Sequence, residues 1–411
     1  MLTRRSLLFG SSALVLSQLL LGCNSGDAAL NIRILENSVP PQLLKEFQRQ
    51  LGNVQLDFSQ SQQLADLFEL LQTWKNQQDK PKSSPVKLPG FVPFVGSNPV
   101  PPSDLVTLGD YWLAPAIQQG LIQPLPLQDI PEWQQLPAVW QQFVRRDAGG
   151  NVGLAQANAD PLWAAPYRWG TLMMAYRPEK FEALGWTPTD WSDLWRSPLK
   201  GHISLPDSAR AVIGLTLKKL GRSLNLADLE SVASLPSELQ SLQQQVKLYS
   251  SKAYLQPLIL EDTWLAVGWS HEILPVLKRQ QKLAGVVPQS GSILTADLWV
   301  NPTAAPKPAS GTGDRLALMK QWIGFYWQPQ TAAQLSLLSS AASPLIFGKT
   351  AGDATGQSGS QLSESLRQAT ATIADVDIQQ RSEFLLPLDL STLEQYRRFW
   401  TTMRNSTSSN G

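Results

Sequence analysis

Residues 163–176 read Trp-Ala-Ala-Pro-Tyr-Arg-Trp-Gly-Thr-Leu-Met-Met-Ala-Tyr. The run has the pattern of a strand over its whole length, and Gly170 is its only interruption. A glycine within a strand pattern marks a bend or a place where another group comes close to the backbone. We therefore predict one long strand with such a feature at Gly170.

Predicted strands and helices alternate on both sides of this run. Apolar residues at every second position predict strands, and apolar residues three or four apart predict helices. The predicted strands span residues 31–35, 54–58, 104–108, 202–205, 264–269 and 293–300. The predicted helices span residues 43–51, 64–74, 111–120, 209–220, 226–248 and 319–327, with a closing helix in 382–400. This order predicts the α/β class, and the length of the chain favours two lobes.

The composition excludes several classes of protein. The 411 residues include 34 Lys or Arg and 33 Asp or Glu, so the formal charge is +1 and no long-range field attracts nucleic acid. The single cysteine excludes an internal disulfide and a cysteine-based zinc cluster. Only two histidines are present, His202 and His271, which gives little support to a metal site. We therefore expect no metal and no cofactor.

The N-terminus resembles a bacterial export signal. Two arginines precede an apolar stretch, and residues 20–23 read Leu-Leu-Gly-Cys, which resembles a lipobox. This predicts a signal peptide over residues 1–22, which also resembles a twin-arginine signal. It further predicts lipidation of Cys23 and a polar tether over residues 23–30, so that a lipid anchor on a membrane holds the protein in the periplasm. An uncleaved anchor is the alternative, although a spanning helix needs about 20 apolar residues.

Four blocks of sequence resemble the spermidine/putrescine-binding type of periplasmic solute-binding protein, the receptor of an ABC importer. Their order and spacing agree with that family over most of residues 30–300. The blocks are Asp104-Leu-Val with Tyr111-Trp112 and Gln119-Gly-Leu-Ile-Gln-Pro124, Ala165-Pro-Tyr-Arg-Trp-Gly-Thr171, Trp191-Ser-Asp-Leu-Trp195 with Leu205-Pro-Asp-Ser-Ala-Arg210, and Val267-Gly-Trp-Ser270.

The resemblance implies a two-lobed α/β fold of the type 2 periplasmic-binding-protein kind, with a hinge of crossing strands. Lobe 1 would comprise residues 31–170 and 297–350, and lobe 2 would comprise residues 171–296 and 351–411. The resemblance also implies a monomeric receptor that closes on spermidine, putrescine or another small cationic solute. Such a receptor performs no catalysis and delivers its solute to an ABC permease in the cytoplasmic membrane.

The ligand positions of the family are only partly retained. A buried ammonium group needs carboxylates or aromatic faces, and Tyr111, Trp269 and Asp297 keep those residue types. Trp269 would otherwise be an ordinary core residue. The family's two helix carboxylates and one of its tryptophans are replaced; the replacing residues are Ser208, Ala211 and Thr295. Two further aromatic positions hold Leu35 and Ser38.

Other residues near these positions have two interpretations each. Glu36 and Asp110 are acids that could attract a cation, although Glu36 also suits a solvated loop and Asp110 suits a helix N-cap. Trp169 precedes the glycine of the long strand and is either a pocket or a core residue. Arg168 would either form an ion pair between the lobes or be exposed. Arg210 could grip an anion together with its helix N-terminus, which would imply an anionic or zwitterionic ligand.

Two functions compete with the receptor hypothesis. An enzyme is disfavoured because the chain has no Gly-x-Ser-x-Gly motif and few histidines to act as bases. The pair His271-Glu272 would suit metal or acid-base chemistry, but we prefer an exposed first helical turn in which the helix dipole favours Glu272. A scaffold or sensor that keeps the fold without transport is the third hypothesis, because the family's carboxylates are missing.

Overall fold

The computed structural model describes residues 29–79, 100–152, 160–306, 315–348 and 375–405, and all statements about the structure refer to these residues. The eleven strands are β1 Leu30–Leu35, β2 Leu56–Ser61, β3 Leu105–Gly109, β4 Ile122–Gln123, β5 Ala165–Tyr176, β6 Ile203–Leu205, β7 Val246–Tyr249, β8 Leu265–Trp269, β9 Ala284–Val286, β10 Ile293–Pro302 and β11 Glu383–Phe384. The α/β class predicted from the sequence is confirmed.

The helices lie between the strands, mostly where the apolar periodicity predicts them. They are α1 Pro41–Leu51, α2 Leu64–Asp79, α3 Leu113–Gln118, α4 Ala138–Phe143, α5 Pro178–Leu184, α6 Ala209–Lys219, α7 Leu235–Gln245, α8 Gln256–Ile259, α9 Ser270–Arg279, α10 Arg315–Tyr326, α11 Pro329–Leu338, α12 Val376–Arg381 and α13 Leu390–Asn405. None of the helices in the described ranges is long and apolar enough to cross a membrane.

One connected sheet has the strand order β2-β1-β3-β10-β5-β8-β6-β7. Parallel pairs occupy both ends of this order, whereas β10 and β5 in its centre run antiparallel to their neighbours. The first half of β5 pairs with β10, and its second half pairs with β8. Strands β5 and β10 therefore join two parallel α/β units.

The long central strand predicted from the sequence is confirmed as β5. Gly170 pairs with Thr295 of β10, and a Cβ atom at Gly170 would lie 2.6 Å from the Ser270 hydroxyl oxygen. That hydroxyl accepts a hydrogen bond from the backbone N–H of Thr171 at 3.0 Å. Gly170 therefore lets the Ser270 side chain come close to the backbone of β5, as a glycine within a strand pattern indicates.

Buried apolar residues form two clusters, and β5 contributes to both. Leu172 and Met174 face the smaller cluster, which also contains residues of α6 and α7. Met173 and Ala175 face the larger cluster, which includes residues of β1, α1 and α10. Because successive side chains of a strand point to opposite faces, β5 is buried on both sides.

Several predicted boundaries differ from the structure by a few residues, and two differ more. The predicted helix 226–248 ends with α7, and Val246–Tyr249 instead forms β7, which pairs with β6 in parallel. The closing helix begins at Leu390, and it packs on α6 and α7 as expected for the second lobe.

Candidate functional site

A cavity of about 130 Å³ lies between the two halves of the molecule. Asp110, Tyr111 and Arg146 line it from the half that contains β3. Arg210, at the start of α6, lines it from the other half. An apolar wall closes it through the segment 385–388, between β11 and α13, together with Leu393. Three predicted site residues, Asp110, Tyr111 and Arg210, therefore meet at one cavity.

Asp110 is buried directly after β3, with 8% of its surface exposed. Its carboxylate accepts hydrogen bonds from the Thr295 hydroxyl at 3.0 Å and from the Ala296 backbone N–H at 3.1 Å. The N-cap interpretation is wrong, because Gly109 holds that position and the Asp110 side chain reaches β10 instead. Burial raises the pKa of Asp110 to about 6, and no described arginine or lysine nitrogen lies within 4.0 Å of its carboxylate.

Arg210 is buried on the first turn of α6, with 7% of its surface exposed. Its Nη2 donates to the Leu386 carbonyl oxygen at 3.0 Å and to Asn225 Oδ1 at 3.4 Å, and its guanidinium lies 4.9 Å from the centre of the Tyr396 ring. Among the described residues, no carboxylate forms an ion pair with it. Burial lowers the pKa of Arg210 from its ordinary value.

The family carboxylate Asp297 already has a cationic partner inside the protein. Arg168 on β5 lies opposite Asp297 on β10, and the two buried side chains form an ion pair. Arg168 is therefore not exposed. It forms an ion pair, but with a residue that the predicted bounds assign to the same lobe, so the predicted pair between the lobes is not found at this residue. Its charge compensates Asp297, so this carboxylate is not free to pair with a ligand ammonium group.

The remaining predicted site residues lie outside this cavity. Trp169 is buried, and its indole N–H donates to the Ser343 carbonyl oxygen at 3.1 Å. Trp269 ends β8 and packs partly exposed on the smaller apolar cluster. Ser208 is the N-cap of α6, and Thr295 holds Asp110. Glu36 is exposed in the turn after β1.

The pair His271-Glu272 opens α9 and gives no sign of a metal site. Tyr254 donates its hydroxyl hydrogen to the exposed Glu272 carboxylate. Burial and the positive charge of Arg168 lower the pKa of His271 to about 4. Within the ranges the structure covers, no group of three or more His, Cys, Asp or Glu residues could hold a metal ion. Cys23 lies outside the described residues.

Sequence reasoning missed two parts of the cavity. Arg146 is 2% exposed and donates to the carbonyl oxygens of Phe143 and Gly150, at 2.7 and 3.3 Å. Its neighbours in the sequence, Arg145 and Asp147, are charged, so no local pattern indicated this burial. The apolar run 385–388 was visible in the sequence, but only the tertiary fold brings it against Arg210.

Sequence comparison gives one family match and several similar proteins. The family described as bacterial extracellular solute-binding protein matches residues 101–360. The spermidine/putrescine-binding periplasmic protein of Escherichia coli (strain K12) is 23% identical over 300 residues, which cover 72% of each chain. The putrescine-binding periplasmic protein PotF of the same organism is 24% identical over 264 residues, 59% of this chain and 66% of that protein.

Solved structures show the same fold. The spermidine/putrescine ABC transporter substrate-binding protein PotD from Streptococcus pneumoniae superposes with a TM-score of 0.69 and 20% identity, over 91% of this chain and 98% of that one. The Tp0655 lipoprotein of Treponema pallidum superposes with a TM-score of 0.63 and 17% identity, over the same shares of the two chains. The chain therefore has the two-lobed fold of these proteins, and the cavity lies between its lobes.

Proposed function

Because the chain belongs to the family of bacterial extracellular solute-binding proteins, we propose that it is the receptor of an ABC importer and binds a small amine-bearing solute between its lobes. The solute leaves chemically unchanged and passes to a permease in the cytoplasmic membrane. The names of the similar proteins include spermidine and putrescine, which are both amines. From these names we infer only that the solute of this chain carries an amine group.

The observation that carries the proposal is the composition of the cavity between the lobes. Asp110 and Tyr111 come from one lobe and Arg210 from the other, so a solute that touches all three bridges the hinge. Bridging contacts stabilise a closed form, which is how a hinged receptor captures its ligand.

Asp110 is the group that we propose for the amine. Its carboxylate lines the cavity beside Tyr111, and among the described residues it lacks an ion pair. A ligand ammonium group would supply the missing charge, and the exposed ring of Tyr111 offers an aromatic face for it. Asp110 would then bind the ligand ammonium group in place of Asp297, whose carboxylate is paired with Arg168.

We further propose the cellular arrangement that the sequence predicts. Residues 1–22 direct export, and Cys23 carries the lipid that anchors the tether 23–30 to a membrane in the periplasm. The lobes comprise residues 31–170 with 297–350 and residues 171–296 with 351–411, and the receptor acts as a monomer. Lipoprotein sequence features at the N-terminus and the periplasmic location of the similar proteins support the export and the lipid anchor.

Isothermal titration calorimetry with putrescine, 4-aminobutyrate and ethylamine tests the receptor function. We expect at least one of these amines to bind, and a ligand at a hundredfold excess over its Kd would stabilise the fold by about 2.7 kcal/mol. Asp110→Asn should weaken binding at least tenfold, because it removes the charge opposite the amine. Asp66→Asn, an exposed carboxylate on α2, is the matched control. Failure of all three amines to bind would favour a scaffold without transport.

A further inference from the structure

Two guanidinium nitrogens of Arg210 have no partner although they are buried. Nη2 is engaged by Leu386 and Asn225, but Nε and Nη1 are both shielded from solvent without a hydrogen bond among the described residues. Burying a charged group is costly unless it is paired and hydrogen-bonded. The side chain lines the cavity, so a group inside the cavity can supply the missing acceptors.

The chemistry of Arg210 favours an oxyanion. A guanidinium presents its N–H groups in a planar fork that matches the two oxygens of a carboxylate. Arg210 also stands on the first turn of α6, an 11-residue helix whose N-terminal dipole favours negative charge. Arg146 adds a second buried guanidinium to the cavity, and it donates hydrogen bonds to the backbone carbonyl oxygens of Phe143 and Gly150.

On the other side of the cavity, the Asp110 carboxylate favours a positively charged ligand group. Asp110 has no described cationic side chain within ion-pair distance. A diamine would satisfy Asp110 but leave Nε and Nη1 of Arg210 without an acceptor and bring a second cation towards two arginines. A simple anion would satisfy Arg210 but leave the Asp110 carboxylate without an ion pair, with only the charge of Arg146 beyond 4.0 Å to favour its ionised form. Only a ligand with both charges satisfies both walls.

We propose that the solute is a small zwitterion, whose amine pairs with Asp110 and whose carboxylate pairs with Arg210. This rests on the proposed receptor function and names the ligand class of the same cavity. The leucine-rich wall formed by residues 385–388 and Leu393 suits an apolar spacer between the two charges. Each charge binds a different lobe, so the ligand itself holds the hinge closed.

Three probes with a four-carbon chain separate the two proposals by calorimetry. Putrescine carries two amines, 4-aminobutyrate carries one amine and one carboxylate, and succinate carries two carboxylates. We expect 4-aminobutyrate to bind about tenfold or more tightly than either of the others. Putrescine binding equal to or tighter than 4-aminobutyrate would overturn the zwitterion and leave the amine receptor standing. Preference for succinate would overturn the zwitterion and the amine receptor. Binding of none of the three probes would overturn the zwitterion, and if ethylamine does not bind either, the amine receptor is overturned as well.

Arg210→Gln and Arg210→Lys test the residue assignment. Both should weaken 4-aminobutyrate, the glutamine variant about tenfold to a hundredfold and the lysine variant less, because lysine keeps the charge but loses the fork. The exposed Arg222→Gln, just after α6, is the control and should bind like the wild type. Thermal unfolding without ligand shows whether each variant is folded, and the lysine variant serves if the glutamine variant is not. Unchanged affinity in a folded Arg210→Gln would overturn the proposal.

Discussion

Asp110 is a buried acid whose ionisation the fold opposes. Burial raises its pKa to about 6, so the folded protein holds the proton more tightly than the unfolded chain does. The unfolding free energy contributed by this group therefore rises as the pH falls from 7 towards 4, by up to about 3 kcal/mol. Urea unfolding of the wild type and Asp110→Asn at pH 7.5 and 4.5 measures this. A difference between the two proteins that does not change with pH would contradict it.

The ion pair between Arg168 and Asp297 fixes the crossing strands. Removing one partner leaves an uncompensated buried charge, so Arg168→Met or Asp297→Asn should each lower the unfolding free energy by about 3–5 kcal/mol. The double variant should lose less than the sum of the two single variants. Urea unfolding of all four proteins gives this cycle, and strictly additive losses would show that the pair is not coupled.

The sequence identified Arg168 and Asp110 as candidate site residues but did not predict which groups they contact. Arg168 was compatible with an ion pair or with exposure, because the choice depends on the register between β5 and β10. Asp110 precedes a helix and resembled a cap, yet its carboxylate bonds to the backbone of Ala296, which is 186 residues away. Contacts over such a separation leave no trace in a local pattern.

At the scale of elements, long periodic segments were predictable and short ones were not. Strands β5 and β10 are long and consist mostly of apolar residues, so their positions could be predicted closely. Strand β7 has only four residues and follows α7 without a break, so its residues were predicted as a continuation of the helix. Its strand state depends on parallel pairing with β6, which is a tertiary effect.

Gly268 on β8 is required by a tyrosine packed against the strand. A Cβ atom at Gly268 would overlap the buried Tyr254 ring, whose hydroxyl oxygen accepts the Trp269 N–H at 3.1 Å. We expect Gly268→Ala to lower the unfolding free energy by about 2 kcal/mol or more, because a well-packed site cannot take the added methyl group. Chemical unfolding measures the loss. Pairing the change with Tyr254→Ala should make the combined loss smaller than the sum, and an additive result would exclude the overlap as the cause.

At the scale of the whole molecule, one short segment ties the two lobes together beside the cavity. The Glu383 carboxylate pairs with Lys218 of α6 at 2.8 Å, whereas the next residue, Phe384, packs its ring 4.4 Å from that of Phe143 on α4. The resemblance to known receptors predicted two lobes and a hinge. It did not predict that residues 385–388, which directly follow Phe384, form a wall of the cavity, because only the tertiary fold brings them to Arg210.

Closure of the lobes on the solute is the motion on which the receptor function depends. If the ligand bridges Asp110 and Arg210, binding shifts the population towards the closed form and brings the outer surfaces of the lobes together. Cysteines for fluorescent labels at Asn76 and Gln240, exposed residues of α2 and α7, can be introduced together with Cys23→Ser, which removes the only native thiol. Energy transfer between the labels should rise on addition of 4-aminobutyrate. A pair at Asn76 and Gln134, both within lobe 1, should show no change. Binding by calorimetry without any change in the first pair would mean that the solute does not act by closing the hinge.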